Sequence, residues 1–237
     1  MADFLLVHGS CHGAWCWRDL IPELEALGHT ARAIDLPGNG EDDTPCGDAT
    51  LPGCGAAVLA ASTPDTIILG HSWGGFPIAA AAEVDPKAMR ALIFLCAYVP
   101  RDGLSMVDLR KRAKRQPILP AVIRNPDGAT MRIDPEQAAG LFYSDCSQEI
   151  IDFAVPLLCD QAILPQKTPL EVSQDYESVE KFYIRCTEDQ TIPPEYQAEM
   201  VDDWPSDRVF EMPTSHSPFF SDPKGLAKLM DQIARSL

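Results

Sequence analysis

Short apolar runs recur along this chain, separated by stretches with helical spacing. The runs Phe4-Leu5-Leu6-Val7, Ile67-Ile68-Leu69 and Leu92-Ile93-Phe94-Leu95 are continuous and do not alternate with polar residues. Continuous apolar strands are covered on both faces, as in a parallel sheet. The pattern predicts strands at Asp3–His8, Thr30–Asp35, Thr66–Gly70, Ala91–Ala97, Lys181–Cys186 and Arg208–Met212. Between them, Ala14–Leu27 carries Trp17, Leu20, Ile21, Leu24 and Leu27 on one helical face. Phe76–Val84 is Ala-rich, as suits a helix packed close against a sheet. The segment from Asp222 presents Leu226, Leu229, Met230 and Ile233 at helical spacing. Alternating strands and helices predict βαβ units with right-handed crossovers, an α/β fold.

One stretch breaks this rhythm. From Arg101 to about Val179 no strand pattern stands out and prolines recur, among them Pro117, Pro120, Pro126, Pro135, Pro156, Pro165 and Pro169. Anchors such as Leu141-Phe142 and Val155-Pro156-Leu157-Leu158 are kept, so the stretch reads as short helices lying over the sheet and not as a linker. The expected organisation is a core formed by residues 1–100 and 180–237, with 101–179 inserted as a helical cap.

The strongest chemical signal is Gly70-His71-Ser72-Trp73-Gly74-Gly75, a G-x-S-x-G motif between a predicted strand and a predicted helix. A serine on so tight a turn has its hydroxyl pushed clear of the chain, and glycines beside it avoid Cβ clashes. A second loop, Val7-His8-Gly9-Ser10, follows the first strand. A strand order beginning 2-1-3 places that loop beside Ser72, where the amides of Ser10 and Trp73 form a candidate oxyanion hole. Gly9, His12, Trp73 and Phe76 are then candidate substrate contacts, with Trp15 a further aromatic and Trp17 assigned to the core. A base for Ser72 must come from five histidines. His8 and His12 lie in the first loop, His29 precedes the second strand, and His71 is expected to point away from its neighbour on the turn. His216, after the last strand, completes the order Ser…Asp…His. The orienting acid is expected after the preceding strand, in Thr187-Glu188-Asp189-Gln190. Spacing favours Asp189 for its shorter reach, with Glu188 open and Asp160 and Asp207 behind it.

Composition narrows the partners. The net charge is −16, which disfavours nucleic acid and anionic membrane surfaces. The first residues lack the basic flank and apolar length of a signal segment, so a cytoplasmic setting with reduced thiols is expected for the eight cysteines. Cys96 and Cys186 are expected to be buried; Cys46 and Cys54, flanking a Gly/Pro-rich loop, to be the exposed pair. Glu41-Asp42-Asp43 lacks metal-ligand spacing, and Arg110-Lys111-Arg112-Ala113-Lys114-Arg115 reads as a solvated helix face, with steering of an anionic substrate as the alternative. No metal or cofactor is expected.

The segments Leu5–Trp17, Gly70–Gly75, Tyr183–Pro193 and Phe142-Tyr143-Ser144-Asp145-Cys146-Ser147 resemble the plant methylesterase and hydroxynitrile lyase family, with its bacterial relatives. The resemblance implies an α/β-hydrolase fold with a six-stranded parallel core, a cap over the pocket, and hydrolysis of a small ester without a cofactor. It puts the triad on Ser72, Asp189 and His216, the oxyanion donors on Ser10 and Trp73, and admits a homodimer. The lyases of this family carry a threonine where Gly9 stands and a lysine where Ser217 stands, so the esterase branch is favoured over cyanohydrin cleavage. A ligand-binding protein with negligible turnover is the non-enzymatic alternative. Asn39, where many such hydrolases place a histidine, is expected to affect only its own loop.

Overall fold

A computed structural model describes residues 1–237. Nine strands form in chain order: β1 (Asp3–Val7), β2 (Thr30–Ile34), β3 (Thr66–His71), β4 (Ala91–Leu95), β5 (Val122–Arg124), β6 (Thr130–Ile133), β7 (Gln161–Ala162), β8 (Glu180–Cys186) and β9 (Val209–Met212). The helices are α1 (Leu20–Ala26), α2 (Leu51–Ala60), α3 (Gly75–Val84), α4 (Met106–Arg112), α5 (Pro135–Phe142), α6 (Gln148–Ala154), α7 (Ile163–Lys167), α8 (Gln174–Ser178), α9 (Pro194–Met200), α10 (Pro218–Ser221) and α11 (Pro223–Ser236). Several open on proline at the first turn behind a side-chain cap: Thr50 accepts from the Gly53 amide and Asp222 from the Gly225 amide.

Six strands make one sheet in the order β2-β1-β3-β4-β8-β9, every pair parallel. Residues alternate between its two faces. Phe4, Leu6, Ile67, Leu69, Ile93 and Leu95 enter one core with Leu20 and Leu24 of α1 and Leu226, Met230 and Ile233 of α11. Leu5, Val7, Ile68, Leu92 and Phe94 enter the other, against Val58 of α2, Ile78 to Ala82 of α3 and Met200 of α9. Burial on both faces is why the strands read as unbroken apolar runs. All six predicted core strands are present, trimmed or extended by a residue or two.

Between β4 and β8 the chain leaves the sheet, and here the expectation of short helices alone is corrected. β5, β6 and β7 form a three-stranded antiparallel sheet, in that order. Its hairpin turns at Asn125-Pro126-Asp127-Gly128, where Gly128 has φ +68° and the Asp127 carboxylate takes the amides of Ala129 and Thr130, each at 2.9 Å. A Pro-Asp-Gly turn between short apolar segments is a legible hairpin signal, hidden in this chain by the surrounding prolines. A second correction concerns Cys54, which lies buried in α2, whereas Cys46 is partly exposed and all eight cysteines are free.

The register brings the carboxyl ends of the central strands level: Val7 pairs with Gly70, His71 with Leu95 and Cys186 with Met212. The turn from β3 into α3 is folded hard onto β1, and a Cβ on Gly74 would lie 2.8 Å from the carbonyl oxygens of both Val7 and His8. Backbone atoms cannot yield there without moving β1. Gly74→Ala is therefore expected to destabilise the fold by about 1–3 kcal/mol, the range of an overpacked core, read as a drop in thermal midpoint against wild type.

Candidate active site

Ser72 occupies the left-handed region, with φ +54°, on the turn between β3 and α3. A non-glycine residue held there marks strain that the surrounding structure must support. The support is visible: the Tyr98 amide donates to the Ser72 carbonyl at 3.1 Å, and Gly9 lies directly against the Ser72 side chain. The turn aims the Ser72 hydroxyl into a cavity shared with His216, Ser10 and His12. This hydroxyl makes no hydrogen bond within the protein, so Ser72 and His216 share one cavity without being bonded to each other.

Beyond the sheet the loops after β8 and β9 run side by side. Thr187 donates to Met212 at 2.9 Å and Glu188 to Thr214 at 3.0 Å, both through backbone amides. This pairing brings Asp189 onto His216, whose Nδ1 donates to Asp189 Oδ2 at 2.8 Å. The Asp189 side chain is fully buried. Its Oδ1 accepts from the amides of Thr191 and Ile192 at 2.6 and 3.0 Å, and its Oδ2 accepts also from Gln197 Nε2 at 2.8 Å. Four donors on one carboxylate fix it completely. Glu188, Asp160 and Asp207 are all exposed and none of them contacts His216.

Three further histidines are buried here, and each orients backbone. Leu36 donates its amide to His8 Nε2 at 3.0 Å, so the His8 proton is on Nδ1, which donates to the Gly9 carbonyl at 2.8 Å. His12 repeats the arrangement: Nδ1 donates to the Ser10 carbonyl and Nε2 accepts from the Tyr143 hydroxyl, both at 2.7 Å. With the Gly9 carbonyl held by His8 and by the His12 amide, the trans peptide directs the Ser10 N–H the opposite way. Trp73 begins a helical turn, where amides lack intrahelical acceptors. His71 does not point away from the site as expected. It lines the same cavity, and its Nε2 donates to the His216 carbonyl at 2.8 Å. His71, Cys96 and His216 bring possible metal-ligand atoms within 4.8 Å of one another. Their hydrogen bonds account for this cluster, since Cys96 Sγ also reaches the His216 carbonyl.

The chain between β4 and β8 closes the cavity and grips the loops beneath it. Gln166 of α7 donates to Ser10 Oγ at 2.7 Å, Phe142 stacks on the His216 ring at 5.8 Å, and Asp145 accepts from the Ser215 amide at 2.8 Å. Among the expected substrate contacts, His12 lines the cavity, but Trp73 and Phe76 do not. Their rings stack on each other at 5.9 Å inside the core under α3, 1% and 0% exposed. The tight turn that presents the Ser72 hydroxyl sends the next side chain to the other face. Gly9 supplies close packing under Ser72 and is not part of the cavity wall. Asn39 ties its loop to the Asp160 carbonyl at 3.2 Å, and Asp42 spends its carboxylate on the amides of Gly38 and Thr44. No helix is long and apolar enough to cross a membrane.

Comparison with known proteins identifies the family and agrees with the fold. The model described as "Alpha/beta hydrolase family" matches residues 4–229. Methylesterase 1 of Arabidopsis thaliana is 32% identical, covering 98% of this chain and 95% of its own length. Polyneuridine aldehyde esterase of Rauvolfia serpentina is 29% identical, over 98% of this chain and 96% of its own. A crystal structure of polyneuridine aldehyde esterase superposes with a TM-score of 0.86 at 28% identity, covering 99% of each chain. A pyrethroid hydrolase from Sphingobium faniae JZ-2 superposes with a TM-score of 0.88 at 25% identity, covering 99% of this chain and 98% of its own.

Burial drives the His12 pKa down to about 3 and holds those of His8 and His71 below the ordinary histidine value. All three are neutral in the folded state, while in the unfolded chain they take up protons near pH 6.5. Their contribution is complete above that pH and is lost as pH falls below about 6.5, for His12 progressively down toward 3. His12 should add about 1.4 kcal/mol of destabilisation per pH unit in that window, with His8 and His71 acting in the same direction. Urea unfolding at pH 7 and pH 5 should show wild type losing stability steeply, and His12→Gln less steeply by one proton's worth.

Proposed function

Given that this chain belongs to the α/β-hydrolase family and is related to the plant methylesterases, and so is a carboxylic ester hydrolase, we propose that it cleaves a small, mostly apolar ester through an acyl-enzyme on Ser72. The observation that carries this reading is the convergence of Ser72, His216 and the Ser10 loop on one cavity, with His216 anchored on the buried Asp189 carboxylate. Ser72 Oγ attacks the ester carbonyl as His216 Nε2 takes its proton. The His216–Asp189 bond keeps the ring in the tautomer that leaves Nε2 free to accept. The amides of Ser10 and Trp73 donate to the oxyanion as charge develops on it. His216 then passes its proton to the leaving alcohol, and activates the water that releases the acid. The missing Ser72–His216 bond is consistent with this sequence, because such contacts tighten when substrate fills the site.

Two features weigh against cyanohydrin cleavage. A Cβ on Gly9 would meet His71 Nδ1 and Ser72 Cβ, each at 2.9 Å, so the lyases' threonine has no room here. The position after His216 carries the uncharged, fully buried Ser217.

Hydrolysis of a short-chain p-nitrophenyl ester should fall to background in Ser72→Ala, and a fluorophosphonate probe should label wild type and not the variant. Equal rates in the two proteins would end the serine-nucleophile reading. Asp189→Asn keeps the shape but donates where His216 Nδ1 also donates. It should lower kcat by about 10⁴, measured on the same ester.

A further inference from the structure

The cavity contains one fixed positive charge that ester hydrolysis does not require. Arg110 sits in the last turn of α4 and, unlike the exposed Lys111 and Arg112, faces inward, lining the cavity with Ser72 and His216. The expectation of a wholly solvated basic face is thus corrected at this residue. Lys111 has Asp108 and Arg115 has Glu195 as ion-pair partners, whereas no carboxylate pairs with Arg110, in a chain holding 35 acidic residues. Its Nε is buried without any acceptor. A guanidinium stays charged throughout the working pH range, and an unmatched buried donor is costly. Helix-dipole compensation does not explain the inward orientation, since Lys111 and Arg112 serve that end from solvent.

The other polar groups of the wall sharpen the contrast. His12 is bonded at both nitrogens, Gln166 is taken by Ser10, and Thr191 donates to the Leu141 carbonyl at 2.8 Å. Apart from Ser72 and His216, Arg110 and Tyr98 are the lining residues whose polar side-chain groups make no bond to the protein, while His71, bonded through Nε2, keeps an unpartnered Nδ1 acceptor. Burial raises the Tyr98 pKa against the opposing pull of Arg110, so its hydroxyl remains a donor. Two unmatched donors, one cationic, in a wall that holds no carboxylate and no other fixed charge are complementary to a planar anion.

Resting on the serine-esterase reading, we propose that the substrate carries a carboxylate in addition to its ester, bound by Arg110 and Tyr98 at the far end of an apolar spacer. The enzyme is then a half-ester hydrolase, acting on the monoester of a dicarboxylic acid. Water adds across the ester: the acyl–oxygen bond breaks, the alcohol leaves with a proton, and the acyl carbon gains the oxygen of a second carboxylate. The carboxylate held by Arg110 is unchanged.

The test compares monomethyl succinate, glutarate, adipate and suberate with methyl butyrate, valerate, hexanoate and octanoate, by acid release at constant pH. At the best-fitting length wild type should favour the half-ester in kcat/KM by about tenfold to a hundredfold, the worth of one charge-assisted bidentate contact. Arg110→Gln should bring that ratio to one or below, and Arg110→Lys should retain part of it. The free dicarboxylate should also inhibit wild type competitively and more strongly than the matched monocarboxylate, a readout that needs no folded variant. Neutral esters cleaved as well as half-esters at every length, a ratio unmoved by Arg110→Gln, or equal inhibition by the two acids would overturn the assignment and leave the Ser72 reading standing. Absence of Ser72-dependent hydrolysis of any of these esters would overturn both.

Discussion

The site is organised around one strained backbone position, the left-handed Ser72 on the turn between β3 and α3. An L-residue there costs energy that only tight surroundings can offset. The turn is clamped from β1 by the close approach of Gly74 to the Val7 and His8 carbonyls, and from the β4 side by the Tyr98 amide. Both clamps depend on the parallel register that levels Val7 with Gly70 and His71 with Leu95. The same geometry that lifts the Ser72 hydroxyl into the cavity turns Trp73 into the core. One constraint therefore sets both the reactive group and the limit of the pocket beneath it.

A second layer of order comes from histidines that stay neutral. His8, His12 and His71 each spend an N–H on one backbone carbonyl: Gly9, Ser10 and His216 respectively. Burial penalises their charged forms, and the bonds fix which nitrogen carries the proton. His8 and His12 thereby stiffen the Ser10 loop and tie it to Leu36 and Tyr143, while His71 joins the Ser72 turn to the loop that carries His216. His216 alone among these four has a carboxylate partner, Asp189, so it alone has a built-in counter-charge for its cation. The division between strut and base follows from that single difference.

Much of this was legible in the sequence. Strands buried on both faces leave unbroken apolar runs, and the motif around Ser72 announces a turn whose steric demands few other arrangements satisfy. Asp189 was narrowed to a short loop by spacing, yet its separation from Glu188 depends on which side chain the paired loops turn inward. The hairpin of β5 and β6 was masked because prolines elsewhere in the stretch outweighed a local turn signal. Gln166, Tyr143 and Gln197 were missed altogether. Each is an ordinary polar residue within its own helix or helix end, and only the three-dimensional meeting of distant segments gives it a partner. Arg110 was misread for the same reason: a run of basic residues does not say which one faces inward.

The stretch between β4 and β8 is bound to the core at several points of chemical consequence. Gln166 holds Ser10, Tyr143 holds His12, Asp145 holds the residue before His216, and Phe142 stacks on the His216 ring. The same stretch supplies Arg110 and most of the apolar wall. Recognition and alignment are thus built from one piece of chain. Swinging it away as a rigid lid would release the Ser10 loop and the His216 loop at the same moment that it opened the pocket. Substrate entry without loss of alignment must therefore come from smaller movements, of side chains such as Met106 and Met131, whose unbranched thioethers adapt at low cost. A substitution in this stretch that widens the pocket will also loosen the loops beneath it wherever it touches one of these four contacts. Specificity and rate are consequently coupled at Tyr143, Asp145 and Gln166, and separable only at wall residues such as Ile118 and Val122, which reach the cavity without holding a loop.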